Sequence, residues 1–102
     1  MDIDKKLIEG TLLVTVKGRL DTTTAPVLEQ ELGASLDDVT ELVLDFSELD
    51  YLSSAGLRVL LAAQKRMNLQ GSMVVKNVNQ LIMEVFDITG FSGILTIDNH
   101  EG

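Results

Sequence analysis

The chain has 102 residues, 16 acids against 8 bases, a formal charge of −8, one histidine, and neither cysteine nor tryptophan. That balance argues against a general binder of nucleic-acid backbone, whose affinity comes from Lys and Arg displacing counterions, and the missing cysteines exclude a disulfide framework, a thiolate zinc site and a thiol nucleophile. Apolar residues make up 45% of the chain, enough for one core, but no run approaches the ~18 residues that a bilayer span requires, so one soluble, acidic, cytoplasmic domain without a signal peptide is expected.

Asp4 to Ile8 reads as a short strand and Glu9-Gly10 as a tight turn. Thr11 to Gly18 reads as a second strand, because Leu12, Val14 and Val16 alternate with Leu13, Thr15 and Lys17. Asp21-Thr22-Thr23-Thr24-Ala25-Pro26 then predicts a helix start, with Thr23 or Thr24 as cap and Pro26 in the first turn. Leu28, Leu32 and Leu36 give that helix an apolar stripe, which Gly33 weakens. Asp37-Asp38 marks a loop. Leu42-Val43-Leu44 lacks alternation and predicts a parallel strand covered on both faces.

Ser53 to Leu69 predicts the second helix. Leu57, Val59, Leu60, Leu61, Ala63 and Met67 share one arc, into which Gln64 and Asn68 intrude, and Arg58, Ala62, Lys65 and Arg66 lie opposite. Gly71 ends it. Ser72 to Lys76 is a further strand. Asn77-Val78-Asn79-Gln80 has capping-box spacing, followed by Val78, Leu81, Ile82, Val85 and Phe86 at helical intervals and a Thr89-Gly90 stop. Gly93 to Asp98 closes as a last strand, with residues 99–102 expected as a frayed tail. The order ββαβαβαβ implies a single α/β domain over residues 1–102, built on a mainly parallel mixed sheet of about five strands.

Charge is uneven. Nine acids lie between Asp21 and Asp50, and no Lys or Arg occurs from Leu20 through Leu57. An acidic surface beside the basic face of the second helix suits docking; a solvated exterior explains the same pattern.

Enzyme chemistry is poorly supplied. A nucleophilic serine needs a base, and the lone His100 falls in the expected tail. No glycine-rich phosphate loop and no metal-ligand cluster are visible, and no cofactor is expected. Asp45, at a strand's carboxyl end, is the best-placed acid, though a loop or cap role suffices for it. Ser53 and Ser54 stand where strand and loop hand over to the second helix, and capping alone accounts for such hydroxyls. Gly56 in the first turn costs about 1 kcal/mol in propensity relative to Ala, which suggests close approach by another backbone or a partner.

Tyr51-Leu52-Ser53-Ser54-Ala55-Gly56-Leu57-Arg58-Val59-Leu60 resembles the phosphorylation-site segment of STAS domains, specifically bacterial anti-sigma factor antagonists. Gly18-Arg19-Leu20-Asp21-Thr22 resembles the family's G-x-L-D motif, and Val85-Phe86-Asp87-Ile88-Thr89-Gly90-Phe91 the ending of its third helix. The resemblance covers essentially the whole chain. It implies a partner switch: the antagonist binds an anti-sigma factor that is also a serine kinase, is released when phosphorylated, and is restored by a serine phosphatase. The phosphorylated serine falls on Ser54, with Ser53 as the alternative. Ser53 stands where the family often has Asp, and Ala55 where it often has Ser or Thr. Asp21 matches the family's aspartate near that serine. The expected docking surface comprises Asp21, Thr22, Ser53, Ala55, Gly56, Arg58, Ala62 and Lys65 on a monomer that binds neither nucleic acid nor membrane. The second reading is a domain of the same fold that takes a nucleotide or small anion at the same helix end.

Overall fold

In a computed structural model, which describes residues 1–98, two residues make the first hairpin. His100 and the tail expected at 99–102 lie outside the described residues. Glu9 and Gly10 both adopt positive φ, 49° and 86°, the conformations a two-residue turn needs to match strand twist. They join β1 (Asp2–Ile8) to β2 (Thr11–Leu20), antiparallel from Asp2 opposite Lys17 to Ile8 opposite Thr11. Both strands outrun their expected bounds, Asp4 to Ile8 and Thr11 to Gly18, since pairing of Asp2 and Ile3 with Lys17 and Val16 lengthens β1 and a second partner lengthens β2.

The chain continues through α1 (Ala25–Ser35), β3 (Glu41–Asp45), β4 (Leu49–Leu52), α2 (Ser54–Gln70), β5 (Ser72–Lys76), α3 (Gln80–Thr89), a 3-10 turn (Phe91–Gly93) and β6 (Ile97–Asp98). The sheet runs β1-β2-β3-β5-β6, and β4 pairs in parallel with the end of β2. Only β1 is antiparallel to its neighbour, so the predicted mixed, mainly parallel sheet is present with one strand more. The extra strand, β4, has only four residues and buries Leu49 and Leu52 around exposed Asp50 and Tyr51, a spacing that signals no period of two. The expected last strand shrinks to Ile97–Asp98, because Phe91 to Leu95 fold into turns whose Ile94 and Leu95 amides donate to the Phe91 carbonyl.

Register places Leu12, Leu42 and Met73 in one row and Val14, Leu44 and Val75 in the next. With Leu28 and Leu32 of α1, Leu60 and Met67 of α2, and Ile82 and Phe86 of α3 they form one continuous core against one sheet face. Leu13, Val43 and Val74 form the row on the opposite face, outside that core. Val43 is buried, 7% exposed, between its row neighbours. The strand β3 is thus buried on both sides and parallel to both of its neighbours, as its unbroken apolar run predicts.

Two further expectations change. The capping box at Asn77 and Gln80 does not form. Asn79 caps α3 instead, its Oδ1 accepting from the Ile82 amide at 2.9 Å while its Nδ2 donates to the Leu49 carbonyl at 2.9 Å. Arg66 is no outward base: it is half-buried and reaches back to α1 and the loop after it, donating to Asp37 Oδ1 at 2.8 Å and to the Gly33 carbonyl at 3.4 Å. The polar intruder Gln64 is buried on the core side of α2, where its Nε2 donates to Asn68 Oδ1 and its Oε1 has no hydrogen bond among the described residues.

Candidate functional site

Parallel strands bring their carboxyl ends to one edge, and the loops there carry most of the predicted site. After β2, Asp21 organises the turn into α1. Its Oδ1 accepts from the Thr23 hydroxyl at 2.8 Å, the Thr23 amide at 3.0 Å and the Thr24 amide at 3.1 Å. The Thr24 hydroxyl accepts from the Asp21 amide and donates to the Arg19 carbonyl, both at 2.8 Å. The N-terminal position of α1 is thus Thr24, as one of the two expected residues, but the side chain that satisfies the loop's donors is that of Asp21. The Thr23 hydroxyl, against the opposing effect of desolvation and with the help of the two amides, holds the Asp21 carboxyl down at about 2. Thr22 is exposed beside it.

The first turn of α2 begins where β2 ends, because the Ser53 amide donates to the Leu20 carbonyl at 2.9 Å. Ser53 is extended and half-buried, and its Oγ accepts from the Gly56 amide at 3.4 Å, the geometry of an N-cap. Ser54, the first helical residue, is exposed, and its hydroxyl makes no hydrogen bond among the described residues. The two hydroxyls that look alike in the sequence therefore differ: one is engaged in the helix end and the other faces solvent.

Ala55 is half-buried against the core. Gly56 is buried, which removes it from the expected docking surface. A Cβ there would lie 2.6 Å from Leu52 Cδ1 and 2.8 Å from Leu20 Cγ, so the close approach foreseen for this glycine is made by two core side chains and not by a backbone or a partner. Arg58, Ala62 and Lys65 are exposed along α2, as expected. Asp45 staples loops: its Oδ1 accepts from the Ser47 amide at 2.9 Å and from Asn77 Nδ2 at 3.1 Å. Partial burial pushes its carboxyl up, but those bonds and Lys76 outweigh this and leave it below the ordinary value.

Two residues at this edge lie inside the motifs quoted above but are given no role by them. Arg19 and Tyr51 are register partners across β2 and β4, and the Arg19 guanidinium carbon lies 4.1 Å from the centre of the Tyr51 ring. Finding them requires knowing that β4 exists and where it pairs. The described residues contain no cluster of His, Cys, Asp and Glu fit to hold a metal ion, and no helix among them is long and apolar enough to cross a membrane. A groove of about 170 Å³ lies between α1 and α2, lined by Leu32, Gly33, Val59 and Ala62 with Glu29 and Arg66 beside them.

A family model described as STAS domain matches residues 2–102. Among curated proteins the chain is similar to the candidate anti-sigma factor antagonist BtrV of Bordetella bronchiseptica, at 38% identity over 97% of this chain and 87% of that protein. It is also similar to the anti-sigma-B factor antagonist of Bacillus subtilis, at 30% identity over 95% of this chain and 90% of that one. Among solved structures, an anti-sigma factor antagonist from Mycobacterium paratuberculosis superposes with a TM-score of 0.88 at 27% identity, over 98% of this chain and 86% of that one.

Proposed function

Because the chain belongs to the STAS domain family, among the anti-sigma factor antagonists, we propose that it binds an anti-sigma factor through the loop edge around α2, and that phosphorylation of Ser54 switches this binding off. The observation that carries the assignment is the contrast at the helix start, where the Ser53 hydroxyl is held by the Gly56 amide and the Ser54 hydroxyl is exposed and makes no hydrogen bond among the described residues. A kinase needs the second kind of oxygen, because in-line transfer requires a free nucleophile within reach of the donor phosphate. The kinase is the anti-sigma factor itself, and a serine phosphatase reverses the step.

The charge change does not require unfolding. A phosphate adds about −1.5 to −2 charges at neutral pH. At the first turn of α2 it meets unpaired amides and the positive end of the helix dipole, so the free domain accommodates it. Arg58, one turn on and exposed, adds a countercharge. The cost falls on the complex. A partner surface closed over a neutral hydroxyl would have to desolvate a near-dianion, and about 3–5 kcal/mol of lost binding lowers affinity by roughly two to nearly four decades.

The second reading, a nucleotide or small anion at the same helix end, is favoured by no specific observation. The groove of about 170 Å³ lies between α1 and α2, away from that end, with a largely apolar lining, and it is smaller than the ~300 Å³ at which ligand pockets ordinarily begin. The test is binding of purified anti-sigma factor to wild type, Ser54→Ala and Ser54→Glu, followed by incubation with ATP and mapping of the modified residue. Ser54→Ala is expected to bind and resist phosphorylation, and Ser54→Glu to bind weakly. Phosphate found on Ser53 alone overturns the assignment.

A further inference from the structure

Resting on the reading above, we propose that Arg19 and Tyr51 form the anchor of the docking surface, and that the anti-sigma factor presents to them a carboxylate with a flat apolar group beside it. The pair sits next to the switch. Tyr51 is two residues before Ser53, and Arg19 precedes Leu20, whose carbonyl accepts from the Ser53 amide. A bulge between Gly18 and Arg19, with Gly18 at φ 94°, shifts the register of β2 on β4 and sets Arg19 opposite Tyr51; bulges commonly re-aim a side chain in this way.

Both side chains are exposed, 62% for Arg19 and 39% for Tyr51, yet neither is loose. The guanidinium stacks over the ring at 4.1 Å, and its Nε lies 3.6 Å from Asp21 Oδ2, on a carboxylate whose other oxygen is pinned by Thr23 and Thr24. Its terminal nitrogens make no hydrogen bond among the described residues. A planar donor held in place with unfilled N–H groups is suited to a carboxylate, and an aromatic face held beside it gives contact area with little further ordering.

Charge narrows the partner further. Arg19 is the only base between Lys17 and Arg58, and Lys17 is taken by Asp4 at 3.2 Å and Glu48 at 3.6 Å. Asp21 lies two residues after the arginine, Asp50 is on the neighbouring strand β4 and Glu48 comes just before that strand. A partner carboxylate set against Arg19 is attracted, and one displaced from it meets acids, so this single guanidinium fixes the register of docking.

The test is calorimetric titration of the purified anti-sigma factors of the source organism with wild type, R19A, R19K, Y51A, the R19A/Y51A double variant and Ser54→Glu. R19A and Y51A are each expected to weaken binding at least tenfold. The double variant should lose clearly less than the product of the two, because the residues act as one stack, and R19K should fail to restore wild-type affinity. If R19A does not fold, R19K and Y51A carry the same comparison. Binding by R19A and Y51A within twofold of wild type, while Ser54→Glu still loses it, overturns the anchor and leaves the switch standing. Equal binding by wild type and Ser54→Glu with weakened R19A overturns the switch and supports the anchor. No binding by wild type overturns both, and variants that alter only self-association, read by sedimentation, replace the anti-sigma factor with a second copy and overturn the proposal.

Discussion

At the entry to α1, the carboxylate of Asp21 satisfies donors that the threonines after it were expected to satisfy. Its pKa is about 2 in the fold against an ordinary 3.8. A depressed carboxyl pKa means that folding favours the ionised form, so its contribution to stability is whole above pH 3.8 and is lost as the pH falls toward 2. Thermal melts should therefore show Asp21→Ala less stable than wild type at pH 7, with the gap narrowing from just above pH 3.8 down to about 2. A gap that is constant over that window would mean that the lost interaction does not depend on ionisation. Gly56 makes the opposite kind of case, where size decides. Gly56→Ala gains about 1 kcal/mol of helix propensity, but its new methyl would meet Leu52 Cδ1 and Leu20 Cγ at 2.6 and 2.8 Å. Overpacking of this kind costs about 1–3 kcal/mol, so chemical denaturation should show net destabilisation.

Among the elements, two glycines separate propensity from packing. Gly33 lies in the interior of α1, with nothing within 4 Å of a Cβ placed on it. Gly33→Ala should stabilise the protein by about 0.5–1 kcal/mol, read from the denaturation midpoint. Gly71 ends α2, and a Cβ there would fall 1.8 Å from the Thr40 carbonyl oxygen, which accepts from the Ser72 amide where β5 meets β3. Gly71→Ala must displace backbone and should cost about 3 kcal/mol or more. In the sequence Gly71 reads as a helix stop and Gly33 as a weak point within a helix. Their difference lies in what the tertiary fold brings against them. The three helices were legible because leucine, valine and methionine recur at helical spacing over ten residues or more. The strand β4 was not, because four residues cannot display a period and its pairing with β2 is a long-range fact.

Over the whole molecule, a charge placed at the loop edge meets a rigid frame. One continuous core ties all three helices to one sheet face, and Ser54 stands outside it. Ser54→Glu should accordingly leave the far-ultraviolet circular dichroism unchanged and move the melting temperature by no more than about 4 °C, the size expected of a surface substitution worth up to ~0.5 kcal/mol in a domain of this length. A fall above about 10 °C would show that the switch acts through the fold and not through the interface. The exposed pairs Lys5 with Glu31 and Lys17 with Glu48 take up part of the acidity that looked like one docking surface, and pairs so exposed contribute little to stability.

By itself the sequence determined the α/β class, the order and approximate bounds of seven of the regular elements, the single core and the segment that carries the family motif. Each of these depends on local spacing of apolar residues, on turn chemistry, or on a motif contiguous in the chain. Tertiary structure alone decided which of Ser53 and Ser54 is free, why Gly56 is a glycine, which side chain satisfies the amides leading into α1, and that Arg19 rests on Tyr51. Two of these, the fit of Gly56 against Leu20 and the stacking of Arg19 on Tyr51, turn on contacts made only once β2, β4 and α2 are brought together, where residues far apart in the chain become neighbours; the bonds of Ser53 and Asp21 join residues two or three apart, and it is the folded backbone that aims them.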